Sequence, residues 1–221
     1  MDIFEAMQRR HSVRSYTDQK IEAETLKSLK EEIRLCNQEG GLNIQLITDE
    51  PDAFHGFLAH YGKFRNVRNY IAMIGPKGTE LDEKIGYYGE RLVLKAAMLG
   101  LNTCWVALTY RKNKAKYALR SGEKMVCVIA VGYGDTEGVP HKSKPVESLC
   151  RTNGQMPDWF RAGMDAALLA PTATNQQKFL ITLSGNKVEA KSIGGFYSKV
   201  DLGIVKYHFE VGAGLQNFSW I

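Results

Sequence analysis

The chain has 221 residues, 44% of them apolar and 24% charged, and its 29 basic and 24 acidic side chains give a net charge of +5. A chain of this length buries roughly two-thirds or more of its unfolded surface, enough for the core of one domain or one and a half. Its composition excludes a disordered tail, a collagen-like repeat and a coiled coil. The mild positive excess suits an anionic ligand or plain solubility. The basic residues are local rather than spread over a face, which argues against a nucleic-acid partner. No apolar run approaches the roughly 20 residues that span a bilayer; the longest candidate, 92–101, contains Lys95. The N-terminus, MDIFEAMQRR, reads as an amphipathic helix without a signal-peptide core. A cytoplasmic location and no membrane partner are therefore expected. Cys36, Cys104, Cys127 and Cys150 form no C-x-x-C pair and read as reduced thiols, and the histidines lack a metal-binding spacing, so no metal is expected.

In chain order, residues 2–9 predict a short helix with Ile3, Phe4 and Met7 on one face, ending in a basic turn, RRHSVRSY. Leu26, Leu29, Ile33 and Cys36 predict a helix over 25–36, stopped by Gly40 and Gly41. LNIQLIT predicts a strand at 42–48, residues 51–61 a third helix, and NYIAMIG a strand at 69–75 closed by Gly75-Pro76. Over 80–100, Leu81, Ile85, Tyr88, Leu92, Ala96 and Leu99 form one stripe, which predicts a buried central helix stopped by Gly100. TCWVALT (103–109) and MVCVIAVG (125–132) read as buried strands, the second central. The stretch 133–157, rich in Gly, Pro, Ser and Lys, is the best boundary, so segments 1–150 and 151–221 are expected within one compact unit. The second segment opens with a helix at 157–169, with Pro157 in its first turn. A hairpin follows, KFLITL and KVEAKSI around the turn SGN, then a helix from an N-cap at Asp201 to Gly212 and a short strand in FSWI. The two parts echo each other. Each reads helix, Asn-x-Gln with an apolar strand, then a Gly-bearing helix (GYYGERLVLKAA, DLGIVKYHFEV), which is either a common element order or a duplication.

No nucleophile is advertised: G-x-S-x-G, G-x-x-x-x-G-K-[ST], H-E-x-x-H and a strand-linked G-x-G-x-x-G are all missing. Any difficult chemistry is then expected of a cofactor. Three features suit an anionic one. Arg9, Arg10, His11, Ser12 and Arg14 bring guanidinium forks and a hydroxyl together, as a phosphate requires, unless they form a solvated basic turn. Lys142 and Lys144 in HKSKP point the same way if extended, or belong to a charged loop. PTATN (171–175) is a small-residue turn able to meet the polar edge of a flat ring, or an ordinary connection. Cys104 reads as inert core, Trp159 and Phe160 as core or a lid edge, and His208 as a satisfied polar group.

In this order, RRHSVRSY, GLNTCWV, VGYG followed by KSKP, and APTATNQQ resemble the flavin-dependent nitroreductase family, most closely the subgroup in which Pro-Thr-Ala-x-Asn comes late. The resemblance covers residues 7–209. It implies an α+β fold: a mixed, mainly antiparallel sheet with helices on both faces and the helix at 80–100 in its centre. It implies FMN as cofactor. Arg10 and Ser12, with His11 between them, match the residues that hold the phosphate and ribityl chain, and Arg14 the one near the ring's N1–O2 edge. Trp105, Val106, Ala107 and Leu108 match the strand whose backbone passes N5, and Lys142 and Lys144 the basic pair that closes on the phosphate. Pro171, Thr172, Ala173 and Asn175 match the segment that reaches the flavin from the partner subunit in ordinary members. Tyr87 and Tyr88 either approach the flavin or simply pack.

The implied activity is NAD(P)H-dependent reduction of nitroaromatics, quinones or similar conjugated acceptors by ping-pong hydride transfer, with no side-chain catalyst. Two departures stand out: Lys178-Phe179 where Pro-Trp is usual, and Leu108 where Gly is frequent. They leave open a flavin-binding protein without turnover, or another activity of the same fold such as enone reduction, dehalogenation or flavin cleavage. The early motif position holds GGLNIQLIT and the intact copy is late. This implies a monomeric pseudo-dimer whose last third mimics a partner, with a homodimer as the alternative.

Overall fold

Asp2 starts α1 (Ile3–Arg9) by accepting the Glu5 amide at 2.9 Å, and Ala6 and Met7 bury its inner face. α2 (Ala23–Gly40) buries Leu29, Ile33 and Cys36 at helical spacing and ends at Gly41, whose φ of 63° is the left-handed conformation that favours glycine. The Asn37 side chain bonds both backbone groups of Ile44. These bonds delay the strand, so β1 is only Gln45–Ile47 rather than 42–48. The helix expected at 51–61 is broken. The buried Glu50 carboxylate accepts the amides of Asp52 and Ala53 and so caps a 3-10 turn at Asp52–Phe54; the chain then bends at Gly56 (φ 99°) into the short α3 (Phe57–Tyr61). β2 (Tyr70–Pro76), α4 (Leu81–Met98), β3 (Asn102–Val106) and β4 (Glu123–Gly132) follow. The strands form an antiparallel sheet in the order β1-β2-β4-β3, with β4 inside as expected. Tyr70 to Ile74 and Val128 to Val131 are all buried, so both faces of this sheet are covered. β3 stops at Val106, short of 109, because the chain bends away after it.

A 3-10 turn at Val146–Ser148 leads into β5 (Cys150–Thr152), a strand inside the stretch expected to be a loop. α5 (Asp158–Ala167) takes Pro157 as its N-cap. β6 (Phe179–Ser184) and β7 (Lys187–Ser192) form the expected hairpin; α6 (Ser198–Ala213) and β8 (Ser219–Trp220) end the chain. The second sheet runs β5-β6-β7-β8, with β5 and β8 parallel to their neighbours. α6 begins before Asp201, whose carboxylate does not cap it but accepts the Ala173 amide. Aromatic rings fill the space between α5, α6 and the C-terminal strand: Trp159 stacks on Phe218, and Phe209 meets Phe160 and Phe218 edge-on.

The fold is thus α+β with mixed and antiparallel sheets and helices on both faces, but with two four-stranded sheets in place of the single one expected. The structure describes residues 1–221 and is a computed structural model. The chain divides into two compact units, residues 1–81 with 92–140, and 82–91 with 141–221. The division falls inside the Gly- and Pro-rich stretch, and the first half of α4 belongs to the second unit.

Within the second unit, that part of α4 crosses α6 at a pair of glycines. A Cβ on Gly86 would overlap the Val200 carbonyl oxygen, and one on Gly203 would overlap that of Glu83. Each glycine therefore faces the backbone three residues before the other, the reciprocal pattern of a two-fold contact. Tyr87 donates to Glu210 and Lys206 pairs with Glu83 around the crossing. The fully buried His208 contacts the Ala166 carbonyl through Nδ1 at 3.0 Å and the Glu90 carboxylate through Nε2 at 2.9 Å. Alanine at Gly86 or Gly203 is expected to lower stability by about 3 kcal/mol or more, because backbone must separate. Gly78→Ala, where a Cβ meets nothing within 4 Å, should change it by less than ~0.5 kcal/mol. Urea denaturation of the three variants checks both.

Candidate functional site

Beyond α1 the basic segment does not turn. The Arg10 amide closes the helix on the Ala6 carbonyl, and the chain continues extended, with Arg10 at φ −68° and ψ 116°. Ser12 forms a parallel bridge to Thr103 of β3, and the Val13 amide donates to the Thr103 carbonyl at 3.0 Å. Val13 and Tyr16 are buried in one apolar cluster with Cys104 and Val106. Ser12 is half-buried with its hydroxyl against the Cys104 thiol, and Arg14 is exposed. Farther on, Arg65 donates to the Arg14 carbonyl, Tyr16 to that of Arg65 and Thr17 to that of Tyr133. On the other side Gly138 (φ 71°) packs against His11, where a Cβ would stand 2.8 Å from the His11 Cβ. A hollow of about 220 Å³ opens here, lined by Arg9, Arg10, His11, Asn102, Thr103 and Glu137 among others.

Thr103 turns its carbonyl toward this segment, so alternation gives the Trp105 backbone the same outward edge, opposite β4. Val106 is buried, Trp105 and Ala107 are half-buried, and Leu108 is 64% exposed. Arg10 is buried, whereas Arg14 is exposed, with its guanidinium 6.0 Å from the centre of the Phe64 ring. Burial pushes the Cys104 thiol up, while Arg14, a hydrogen bond with Ser12 and Arg10 pull it back less strongly, so it stays a thiol. Burial likewise holds the Tyr16 phenol protonated, and its hydroxyl donates to the Val13 carbonyl at 2.8 Å. Two guanidinium groups, an imidazole and a hydroxyl along one strand edge are a donor set suited to a phosphate monoester.

The other candidates lie in the second unit, where the structure brings them together. The carbonyl of Lys142 accepts from Asn175 Nδ2 at 2.9 Å and from Gln177 Nε2 at 3.0 Å. The Lys144 amide donates to Gln177 Oε1 at 2.8 Å, and its ammonium donates to the carbonyls of Gln176 and Gln177 at 2.7 and 3.1 Å. Thr172 is buried and accepts the Gln177 amide through its hydroxyl; Pro171 and Ala173 are half-buried. Asp201 accepts the Ala173 amide at 2.9 Å and Gln176 Nε2 at 2.6 Å. The backbone is left-handed at Thr174, Asn175 and Gln177, with φ of 48°, 56° and 45°. For a β-branched residue such as Thr174 this is a strained conformation. The polar groups of 172–175 therefore hold this loop and the lysine segment in shape. Gln177 and Asp201 organise the cluster, although neither is a candidate by residue type. The Asn-x-Gln spacing is the signal for Gln177; Asp201 carries none, since its place in the helical pattern points to a cap. No group of three His, Cys, Asp or Glu side chains is placed to hold a metal, and no helix is long and apolar enough to cross a membrane.

The model of the family described as "Putative TM nitroreductase" matches residues 2–213. The chain belongs to that nitroreductase family. Among solved structures it is similar to a putative nitroreductase from Thermotoga maritima, with 22% identity, 96% of this chain and 83% of that one covered, and a TM-score of 0.67. It is also similar to a putative nitroreductase in complex with FMN from Desulfovibrio desulfuricans, with 18% identity, 67% and 95% covered, and a TM-score of 0.53. A putative NADH dehydrogenase/NAD(P)H nitroreductase from Parabacteroides distasonis is 21% identical, with 66% and 95% covered and a TM-score of 0.52. No curated protein matches the chain. At these identities the structures establish the fold, and the family places the chain among oxidoreductases.

Gln177→Ala removes the acceptor of the Lys144 amide and the donor to Lys142, and is expected to destabilise by about 2–4 kcal/mol. Guanidinium denaturation, with faster hydrogen exchange of the Lys144 amide, reads it. Burial raises the Asp201 carboxyl above its usual 3.8, with the Gln176 and Ala173 bonds opposing more weakly. The folded protein thus binds this proton more tightly than the unfolded chain does. Its contribution to stability is fully present below the unfolded value and is lost as pH rises through the folded one. Asp201→Asn lacks that dependence. Urea midpoints should therefore shift in the variant's favour, relative to wild type, between about pH 3 and about pH 6.

Proposed function

We propose that the protein is an FMN-dependent oxidoreductase that uses NAD(P)H to reduce nitroaromatics, quinones or similar conjugated acceptors. The observation that carries this reading is the extended segment 10–14 laid along the outer edge of β3. Arg10 and Ser12 would hold the phosphate and ribityl oxygens, with His11 adjacent. Arg14 would place a cation at the N1–O2 edge, where negative charge develops on reduction. The strand backbone at Trp105, Val106 and Ala107 would meet the N5 edge, and Leu108 would border the face open to substrates. When bound, FMN supplies two-electron chemistry, accepting a hydride from NAD(P)H and passing it to an acceptor that also takes a proton, the two substrates using one face in turn. The chain orients the ring, balances its charge and keeps water away. Cys104, held as a thiol, offers no competing nucleophile.

Lys142, Lys144, Pro171, Thr172, Ala173 and Asn175 are assigned to the same flavin by resemblance. Two observations support reading the last third as the counterpart of a partner subunit. One is the reciprocal glycine crossing. The other is that 67% of this chain suffices to match 95% of the Desulfovibrio desulfuricans protein. One FMN per monomer is the expected stoichiometry. The four buried free thiols suit a reducing, cytoplasmic setting.

Purified protein supplied with FMN should be yellow, bleach with NADH or NADPH and recolour with a nitroaromatic. Arg10→Ala should weaken FMN binding by about 1.5–3 kcal/mol, roughly ten- to a hundredfold. Ser12→Ala and Arg14→Gln should act in the same direction. Unchanged flavin affinity in all three variants defeats the assignment, and bound flavin that neither nucleotide bleaches leaves a binding protein without turnover.

A further inference from the structure

Phe57, Leu58 and Tyr61 of α3 are 80%, 45% and 75% exposed, and Leu108, just past β3, is 64% exposed. Large side chains this open, grouped on one short helix and the neighbouring loop, mark a binding surface more often than chance exposure does. The two pieces are locked together. A Cβ on Gly62 would stand 2.7 Å from the Thr109 side chain, the Arg111 amide donates to the Ala53 carbonyl at 2.8 Å, and the Arg111 stem passes Gly56 at the start of α3. Beneath them Phe54 stacks on Tyr110 with ring centres 5.8 Å apart and meets Phe64 edge-on at 5.2 Å. Buried rings already fill the inner side, so Phe57 and Tyr61 are held outward by a rigid base. The patch adjoins Arg14: the Arg65 amide donates to the Arg14 carbonyl at 2.9 Å, and the Arg14 guanidinium lies 6.0 Å from the Phe64 ring.

Charge is concentrated in the same place. Residues 50–65 and 107–116 carry Lys63, Arg65, Arg111, Lys112, Lys114 and Lys116 against Asp52 and the buried Glu50, an excess of +4 out of the +5 of the whole chain. The rest of the protein carries +1 in sum. We infer that this patch binds the electron acceptor and selects conjugated rings that carry an acidic group. The ring lies on Phe57, Tyr61 and Leu108, and its anion meets Arg111 and Lys63. Aromatic contact supplies ring affinity, while exposed cations supply a preference that salt screens. The inference rests on the proposed function only where the bound acid is then reduced; binding is a property of this surface.

The probes are 4-nitrobenzoate and the uncharged 4-nitrobenzyl alcohol, titrated calorimetrically into the protein with and without FMN, at about 20 mM and about 300 mM salt. The acid should bind at least ~10-fold more tightly at low salt and lose most of that advantage at high salt. Phe57→Ser with Tyr61→Ser should weaken both probes. Lys63→Gln with Arg111→Gln should bring the acid down to the alcohol's level and leave the alcohol unchanged. Because these side chains are exposed or half-exposed, each double variant should keep the wild-type thermal midpoint. Equal binding of the two probes, or indifference to both double variants, overturns the inference. A dimer in sedimentation velocity that Phe57→Ser abolishes also overturns it, since the patch then belongs to a second copy. Protein that binds FMN and bleaches with NAD(P)H but ignores the acid loses only this inference. Protein that binds the acid here but takes no FMN keeps it and loses the proposed function.

Discussion

The outer edge of β3 is the constraint on which the candidate site depends. In the order β1-β2-β4-β3 it is a terminal strand, and its outward N–H and C=O groups require partners. Ser12 and Val13 supply them at Thr103. Once an extended segment pairs there, its side-chain directions are no longer free. Val13 and Tyr16 enter the apolar cluster, Ser12 meets the Cys104 thiol, and Arg14 reaches solvent beside the Phe64 ring. The cationic residues are thus gathered by a backbone requirement, against their mutual repulsion. An arrangement imposed in this way does not need its ligand in order to form, which lowers the cost of binding an anion.

A different device shapes the second cluster. Left-handed backbone at Thr174, Asn175 and Gln177 costs on the order of 1–3 kcal/mol at each residue. It also turns the carbonyls of Gln176 and Gln177 to where the Lys144 ammonium meets them. The Gln177 side chain ties Lys142, Lys144 and Asn175 together, and Asp201 anchors the start of the loop. Lys144 therefore serves first as a cap on strained backbone. Any contribution to an anionic ligand comes from the position this fixes as much as from its charge.

Elements whose burial repeats locally were legible in the sequence. The stripe of α4, the apolar run of β4 and the hairpin of β6 and β7 lie close to where periodicity puts them. Features decided by distant partners were not. RRHSVRSY reads as a turn because nothing within it reveals Thr103, some ninety residues away. β5 has three residues and no alternation, and exists because β6 arrives beside it. Gly56 breaks a plausible helix because Glu50 caps the turn before it. In the site, motif order supplied the candidate residues; the Gln177 and Asp201 contacts depend on which loops meet, and periodicity does not carry that.

The halves of the chain share an order of elements but not a sheet. The first sheet is antiparallel throughout, with β4 beside β2; in the second, the two-residue β8 runs parallel to β7. The glycines of α4 and α6 face each other's backbone reciprocally, since close backbone approach tolerates no side chain. The basic segment has no such counterpart. Ahead of α2 the chain carries RRHSVRSY, whereas ahead of α5 it carries CRTNGQMP, with Arg151 as its one cation. On the reading of a fused pair, only one of two ancestral half-sites retains a phosphate-type donor set.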